Sequence, residues 1–197
     1  MKNESTGFTE TDLQGFLDEM IDHDRLALAD RLQRASDRLA EYAPLVTAGH
    51  GQGGQGEGGA SGAGSARPDA PRGDVPHQIA WSAHEVLAHI VVLSKFYGVI
   101  FHKVSSGKMT ELDPLNNVGL RDAMDEQMSQ IEPNELIRMA LEDHARTIKG
   151  LRAANAASMR RVVKVDRAET MTAEEVARLP LISHLELHID QLVRALA

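Results

Sequence analysis

The chain has 197 residues, 42% of them hydrophobic and 4% aromatic, with a formal charge of −8 from 29 acidic and 21 basic side chains. That length suits one domain with a sizeable core, and the acidic balance argues against nucleic acid and anionic membrane surfaces, which require clustered positive charge. There is no cysteine, which excludes disulfides, thiolate metal sites and a cysteine nucleophile.

The N-terminal "MKNESTGFTETD" is polar, with no apolar signal core, so a cytoplasmic protein is expected. From Thr11 to about Tyr42, Leu13, Phe16, Leu17, Met20, Leu28, Leu32 and Leu39 recur at helical spacing. Thr11 and Gln14 in "TDLQ" have the form of a capping box. Arg25, Arg31, Arg34 and Arg38 alternate with acids, as on a solvated face. One long helix is predicted. The composition then changes: nine of the sixteen glycines fall between Gly49 and Gly64. Such a stretch buries little and loses much backbone entropy if ordered, so residues 48–76 are predicted to be a flexible Gly-rich insertion. A phosphate-cradling loop would need a preceding strand and a following helix at defined spacing, and neither is evident. His50 within it is expected in solvent.

A second helix is predicted from Ser82, where Ser82 and Glu85 form a capping box, to about Lys103. A polar connection, "SSGKMTELDPLNNVG", follows, with room for a short helical piece near "LRDAMDEQMSQI". "EPNELIRMALEDHARTIKGLRAANA" is the third long helix, capped at Asn134 after Pro133. "RVVKV" is β-prone but brief, and without a partner it makes no sheet. Thr172 and Glu175 in "TAEE" open the last helical region, in which Pro180 marks a kink or a new first turn. No segment stays apolar for the roughly 18 residues of a membrane span; His89, Lys95 and His102 interrupt the best candidate. The expected fold is all-α: a single four-helix bundle over 1–197, with a long crossing connection between the first two helices.

Three histidines stand out. His184 and His188 in "HLELHIDQL" are one turn apart on one helix face, a spacing at which two imidazoles can share a cation. The plain alternative is two polar residues on a partly exposed face. Leu181, Ile182, Leu185, Leu192 and Val193 around them favour an inward face. His89 lies in the most apolar stretch, "AHIVVLSKFYGVI", where an unpaired imidazole is costly. It is either a satisfied core histidine or, if helices two and four pack together, the third member of a set. Glu85 can serve as an acceptor behind His89, although capping already accounts for it. His84 is expected to be exposed. His23 and His144, flanked by charges, are expected at the surface, with His23 able to turn inward beside Met20 and Ala27.

"WSAHEVLAHI" and "HLELHIDQL", in that order in a helical chain, resemble the DinB/YfiT-like metal-binding four-helix-bundle superfamily. That group includes bacterial thiol-dependent S-transferases and mycothiol-dependent maleylpyruvate isomerases. The resemblance implies that His89, His184 and His188 are metal ligands, that the protein forms a homodimer, and that a low-molecular-weight thiol and an electrophile are its substrates. Two departures separate it from the maleylpyruvate isomerases. His184 stands where a glutamate is usual in those relatives, and the further C-terminal domain that helps them hold the thiol is not part of this chain. Three neutral imidazoles leave a divalent cation its charge and open positions. Zinc ranks ahead of nickel, although ligand type alone does not separate them. The competing expectation is a non-catalytic stress or interaction protein with a structural or vestigial metal.

Overall fold

The structure, a computed structural model, describes residues 10–47, 81–112, 123–124, 127–165 and 169–197. The described chain is mostly helical: α1 (Glu10–Thr47), α2 (Ala83–Ser105), α3 (Pro133–Ala153), the short α4 (Ala156–Met159), a two-stranded hairpin, and a final helical rod. That rod comprises α5 (Ala173–Val176), a π-helical stretch (Ala177–Ser183) and α6 (His184–Leu196). The Gly-rich stretch and His50 lie outside the described residues. So does most of "LRDAMDEQMSQI", of which residues 123–124 and 127–128 are helical.

Two of the expected caps form as read. The Ser82–Glu85 and Thr172–Glu175 boxes both have their reciprocal bonds, each satisfying N–H groups that the first helical turn leaves orphaned. Two do not. Thr11 lies inside α1, and the Gln14 amide donates to Asp18 Oδ1 at 2.9 Å. The N-cap of α3 is Glu132, with Pro133 rather than Asn134 opening the helix, because the ring's missing N–H costs nothing in the first turn. α1 also continues past Tyr42, through Pro44, to Thr47.

Cross-helix bonds give the directions. His84 Nε2 meets the Ile131 carbonyl ahead of α3, and ten residues on Ser94 meets His144, so α2 and α3 run parallel. Arg31 pairs with Glu186 and Arg38 with Asp190, so α1 and α6 are parallel as well. Arg25 donates to the Leu151 and Arg152 carbonyls at the far end of α3, which is antiparallel to α1. The connection that crosses the length of the helices therefore joins α2 to α3, not α1 to α2 as the sequence suggested. The arginines of α1 also depart from expectation. Arg25, Arg31 and Arg38 tie α1 to other helices, and Arg34 is the one left exposed.

Between the helices lies an aliphatic core containing Leu32, Leu39, Leu87, Ile90, Leu93, Leu136, Leu151, Leu181, Ile182 and Leu185, all fully buried. Each such side chain contributes about 1.5–3 kcal/mol by leaving water. α2 supplies much of it. Contrary to the sequence-based expectation, α2 is long and apolar enough to cross a membrane by length and composition. Here its Val86, Leu87, Ile90, Val91, Val92 and Leu93 are packed inside the protein. A further correction concerns "RVVKV". Val162–Lys164 (β1) pairs antiparallel with Thr170–Thr172 (β2), Val163 opposite Met171, and Lys164 bridges to Glu111. The partner is a run of three residues too short for periodicity to reveal, and the buried Val163 anchors the hairpin to the core.

Candidate metal centre

Two elements converge on the site. α2 carries His89 on the side that packs against α6, and α6 carries His184 and His188. All three rings are half-buried. The π-helical stretch sets their direction. Pro180 has no N–H to donate and its ring crowds the carbonyl four residues back. The helix widens at this point, and the His184 N–H reaches the Leu179 carbonyl five residues earlier. Ser183 Oγ also donates to the Arg178 carbonyl, five residues back, at 2.8 Å. One extra residue in a turn rotates everything downstream by about 100°, so α6 presents His184 and His188 to α2 in a register that an uninterrupted helix would not keep. Arg31 locks that register from α1. Its Nε donates to Glu186 Oε1 at 2.7 Å and its Nη2 to Ser183 Oγ at 3.1 Å, on either side of His184.

The ring centroids of His89 and His188 are 4.5 Å apart, those of His184 and His188 4.7 Å, and those of His89 and His184 6.1 Å. One ligand nitrogen from each ring lies within 4.8 Å of the other two. Two zinc–nitrogen bonds span at most about 4.2 Å, so a small side-chain rotation brings the widest pair into reach of one ion. Trp81 closes one side, edge-on to His89 at 5.0 Å and stacked on His188 at 6.0 Å.

His188 has one nitrogen bonded and the other free. Its Nδ1–H donates to Gln191 Oε1 at 3.0 Å, which leaves the lone pair on Nε2. That atom is buried and has no hydrogen-bond partner. Burial, reinforced by His89 and then His184 and opposed by the Gln191 bond, pushes the imidazole down to about 4. It is neutral at physiological pH, with its tautomer set by a neighbour, as metal-binding histidines are. Beside the triad, a cavity of about 200 Å³ is lined by Trp81, Glu85, Ala88, His89 and Ser129. Glu85 holds the helix cap there: its Oε2 accepts from the Ser82 N–H at 2.7 Å and from the Ser82 hydroxyl at 2.9 Å.

The structure thus brings together the three histidines singled out by sequence. It moves two others. His84 is half-buried and bonded to the Ile131 carbonyl, and His144 is buried, with 1% of its surface exposed. The charges flanking His144 suggested the surface, but Leu136, Ile137, Ala140, Thr147 and Ile148 place its position on the core-facing stripe of α3. His23 is exposed. Sequence reasoning missed Gln191 and the Arg31–Glu186 clasp. Gln191 sits three residues after His188, a spacing at which side chains meet on a helix; nothing local marks Arg31.

Family models, curated proteins and solved structures yield no match to this chain. The reading of the site rests on its own chemistry.

Proposed function

We propose that this chain is a divalent-metal-binding protein of the DinB-like four-helix-bundle type, acting as a metal-dependent transferase or isomerase that uses a low-molecular-weight thiol. The observation that carries the reading is the convergence of three imidazole nitrogens, one of them a buried lone pair without a partner, with His89 also lining a cavity. His89, His184 and His188 would hold the cation, zinc ahead of nickel. A bound divalent cation supplies Lewis acidity, which favours deprotonation of a small thiol or water at neutral pH. Gln191 keeps the His188 lone pair aimed inward, and Trp81 packs against His89 and His188. The cavity beside His89 admits a small thiol and an electrophile, whose leaving group departs with its electron pair as the new sulfur–carbon bond forms. Half-exposed ligands next to a cavity favour this reading over a sealed structural metal. A homodimer belongs to the proposal: Leu179 and Leu187, 55% and 64% exposed, offer apolar surface on the last helical rod, and light scattering tests it.

The decisive experiment is metal analysis of untagged protein, followed by cobalt substitution and titration with cellular thiols. Thiolate ligation is expected to add an intense charge-transfer band, with tighter binding as pH rises towards the ionisation of the thiol. Cobalt spectra indifferent to every thiol would remove the transferase and leave a metal-holding interaction protein. Absence of stoichiometric metal would remove both.

A further inference from the structure

Away from the histidines, α2 and α3 enclose a second and larger cavity of about 540 Å³. Two glycines line it. A Cβ on Gly98 would stand 2.9 Å from Thr147 Oγ1, and one on Gly150 would stand 3.5 Å from the Phe101 ring. The parallel helices approach closely there, and beside that contact runs a trough with a predominantly apolar lining that includes Val99, Phe101 and Ala153. From Ser94 to Lys103 it follows α2 for about 14 Å at roughly 1.5 Å per residue. Two hydroxyls of its floor are satisfied within the protein, whereas Asp143 Oδ2 at its Ser94 end is buried without a hydrogen-bond partner. Ser94 Oγ donates to the Ile90 carbonyl and meets His144 Nε2, and Thr147 Oγ1 donates to the Asp143 carbonyl. A volume and lining of this kind suit an apolar body.

The rim has the opposite character to the protein as a whole. In a chain of net charge −8, the trough is bordered by Lys95, His102, Lys103, Arg146 and Lys149. Its one carboxylate, Asp143, lies at the Ser94 end and is paired with Arg146. Lys103 borders the other end, and Lys149, next to Gly150, flanks the trough about one turn before it. Both are exposed, and among the described residues neither takes part in an ion pair. An apolar trough with unpaired ammonium groups on its rim is complementary to a single-chain amphiphile with an anionic head. Because the free cations are lysines, which act as point charges, and the one guanidinium is already engaged, a carboxylate suits them better than a phosphate that would call for a bidentate fork.

We propose that the α2–α3 trough is a binding site for a free fatty-acid-type carboxylate, its tail along Gly98 and Phe101 and its head between Lys103 and Lys149. The probe is dodecanoate, kept below its micelle concentration and titrated calorimetrically into the full chain, with dodecanol as the uncharged comparison. Saturable binding of one dodecanoate per chain is expected, with dodecanol weaker by about tenfold. Lys103→Glu combined with Lys149→Glu changes two exposed side chains and is expected to weaken dodecanoate by about tenfold or more while sparing dodecanol. Val99→Trp, at a position 48% exposed, is expected to fill the trough and abolish binding of both. His188→Ala is expected to leave dodecanoate binding unchanged, which separates this site from the metal centre. Absence of saturable binding, or binding indifferent to both trough variants, overturns the proposal. So does a dimer that Val99→Trp dissociates, since the trough would then be covered by a second copy of the chain.

Discussion

His188 and His144 lie on opposite sides of α2, and each buries a ring nitrogen that has no hydrogen-bond partner. Burial is the first cause that pushes each imidazole down to about 4. Their surroundings then diverge. His188 shares its space with His89 and His184, half-exposed beside a cavity, and its other nitrogen is fixed by Gln191. His144 is sealed between α2 and α3, alone, with its Nε2 at 2.8 Å from Ser94 Oγ. The Ser94 hydroxyl donates to the Ile90 carbonyl at 2.7 Å, so the His144 Nε2–H is the donor in that pair and the unpaired Nδ1 is an acceptor. A free nitrogen is thus not what distinguishes a candidate ligand from a core histidine. Convergence of several imidazole rings, one of them lining a cavity, is.

Removing a nitrogen from each side tests the contrast most strongly. His188→Ala is expected to weaken divalent-metal affinity by about 1,000-fold with helicity retained, since packing rather than the metal holds the helices. His144→Ala is expected to leave that affinity essentially unchanged. Competition with a chelator of known affinity measures both, and equal losses would erase the distinction.

Acid titration sharpens the contrast from the other side. His144 stays neutral in the folded protein down to about pH 4, whereas in the unfolded chain it takes up a proton below its ordinary value of 6.5. The unfolded state then binds more protons, so stability is full above about pH 6.5 and falls as the pH drops towards 4. This one group accounts for about 3 kcal/mol across that window. Urea unfolding at several pH values should show a steeper loss for the natural chain than for His144→Gln, which retains a donor for Ser94 but does not titrate. Parallel curves would mean that His144 is protonated in the fold. Half-buried His188 acts in the same direction by a smaller amount, and bound metal should enlarge its share, because a ligated lone pair takes up no proton in the fold.

A smaller effect is expected from Gln191→Leu. Freed from its acceptor, His188 can adopt either tautomer, and metal affinity should fall by about tenfold with thermal stability nearly unchanged. An unchanged affinity would show that the pocket itself orients the ring. The smallest effect concerns the helix that separates the two histidines. Ser82→Ala removes the cap of α2 and should cost about 1 kcal/mol. Because Trp81 and His89 are anchored by that first turn, metal affinity should fall slightly as well. Thr172→Ala, an equivalent cap at the start of the last rod, should cost about the same stability and leave affinity alone.

Much of the local architecture is set by the sequence itself. The 3.6-residue recurrence of leucines and isoleucines defines the long helices, and the Ser82–Glu85 and Thr172–Glu175 boxes define two of their starts, because helical hydrogen bonding and capping act between residues a few positions apart. The same short range makes His184 and His188 legible as a pair. The tertiary structure alone decides the rest. That His89 joins them depends on α2 packing antiparallel to α6. That α6 faces the right way depends on a π-helical turn at Pro180 and on Arg31 reaching across from α1 to Glu186 and Ser183. His144, which local charge assigned to the surface, is buried because the whole stripe of α3 is covered. The close contact beside the α2–α3 trough forms because Gly98 and Gly150 fall opposite Thr147 and Phe101. These features join residues tens of positions apart, and their geometry is set by how helices stack, a property that no window of sequence contains.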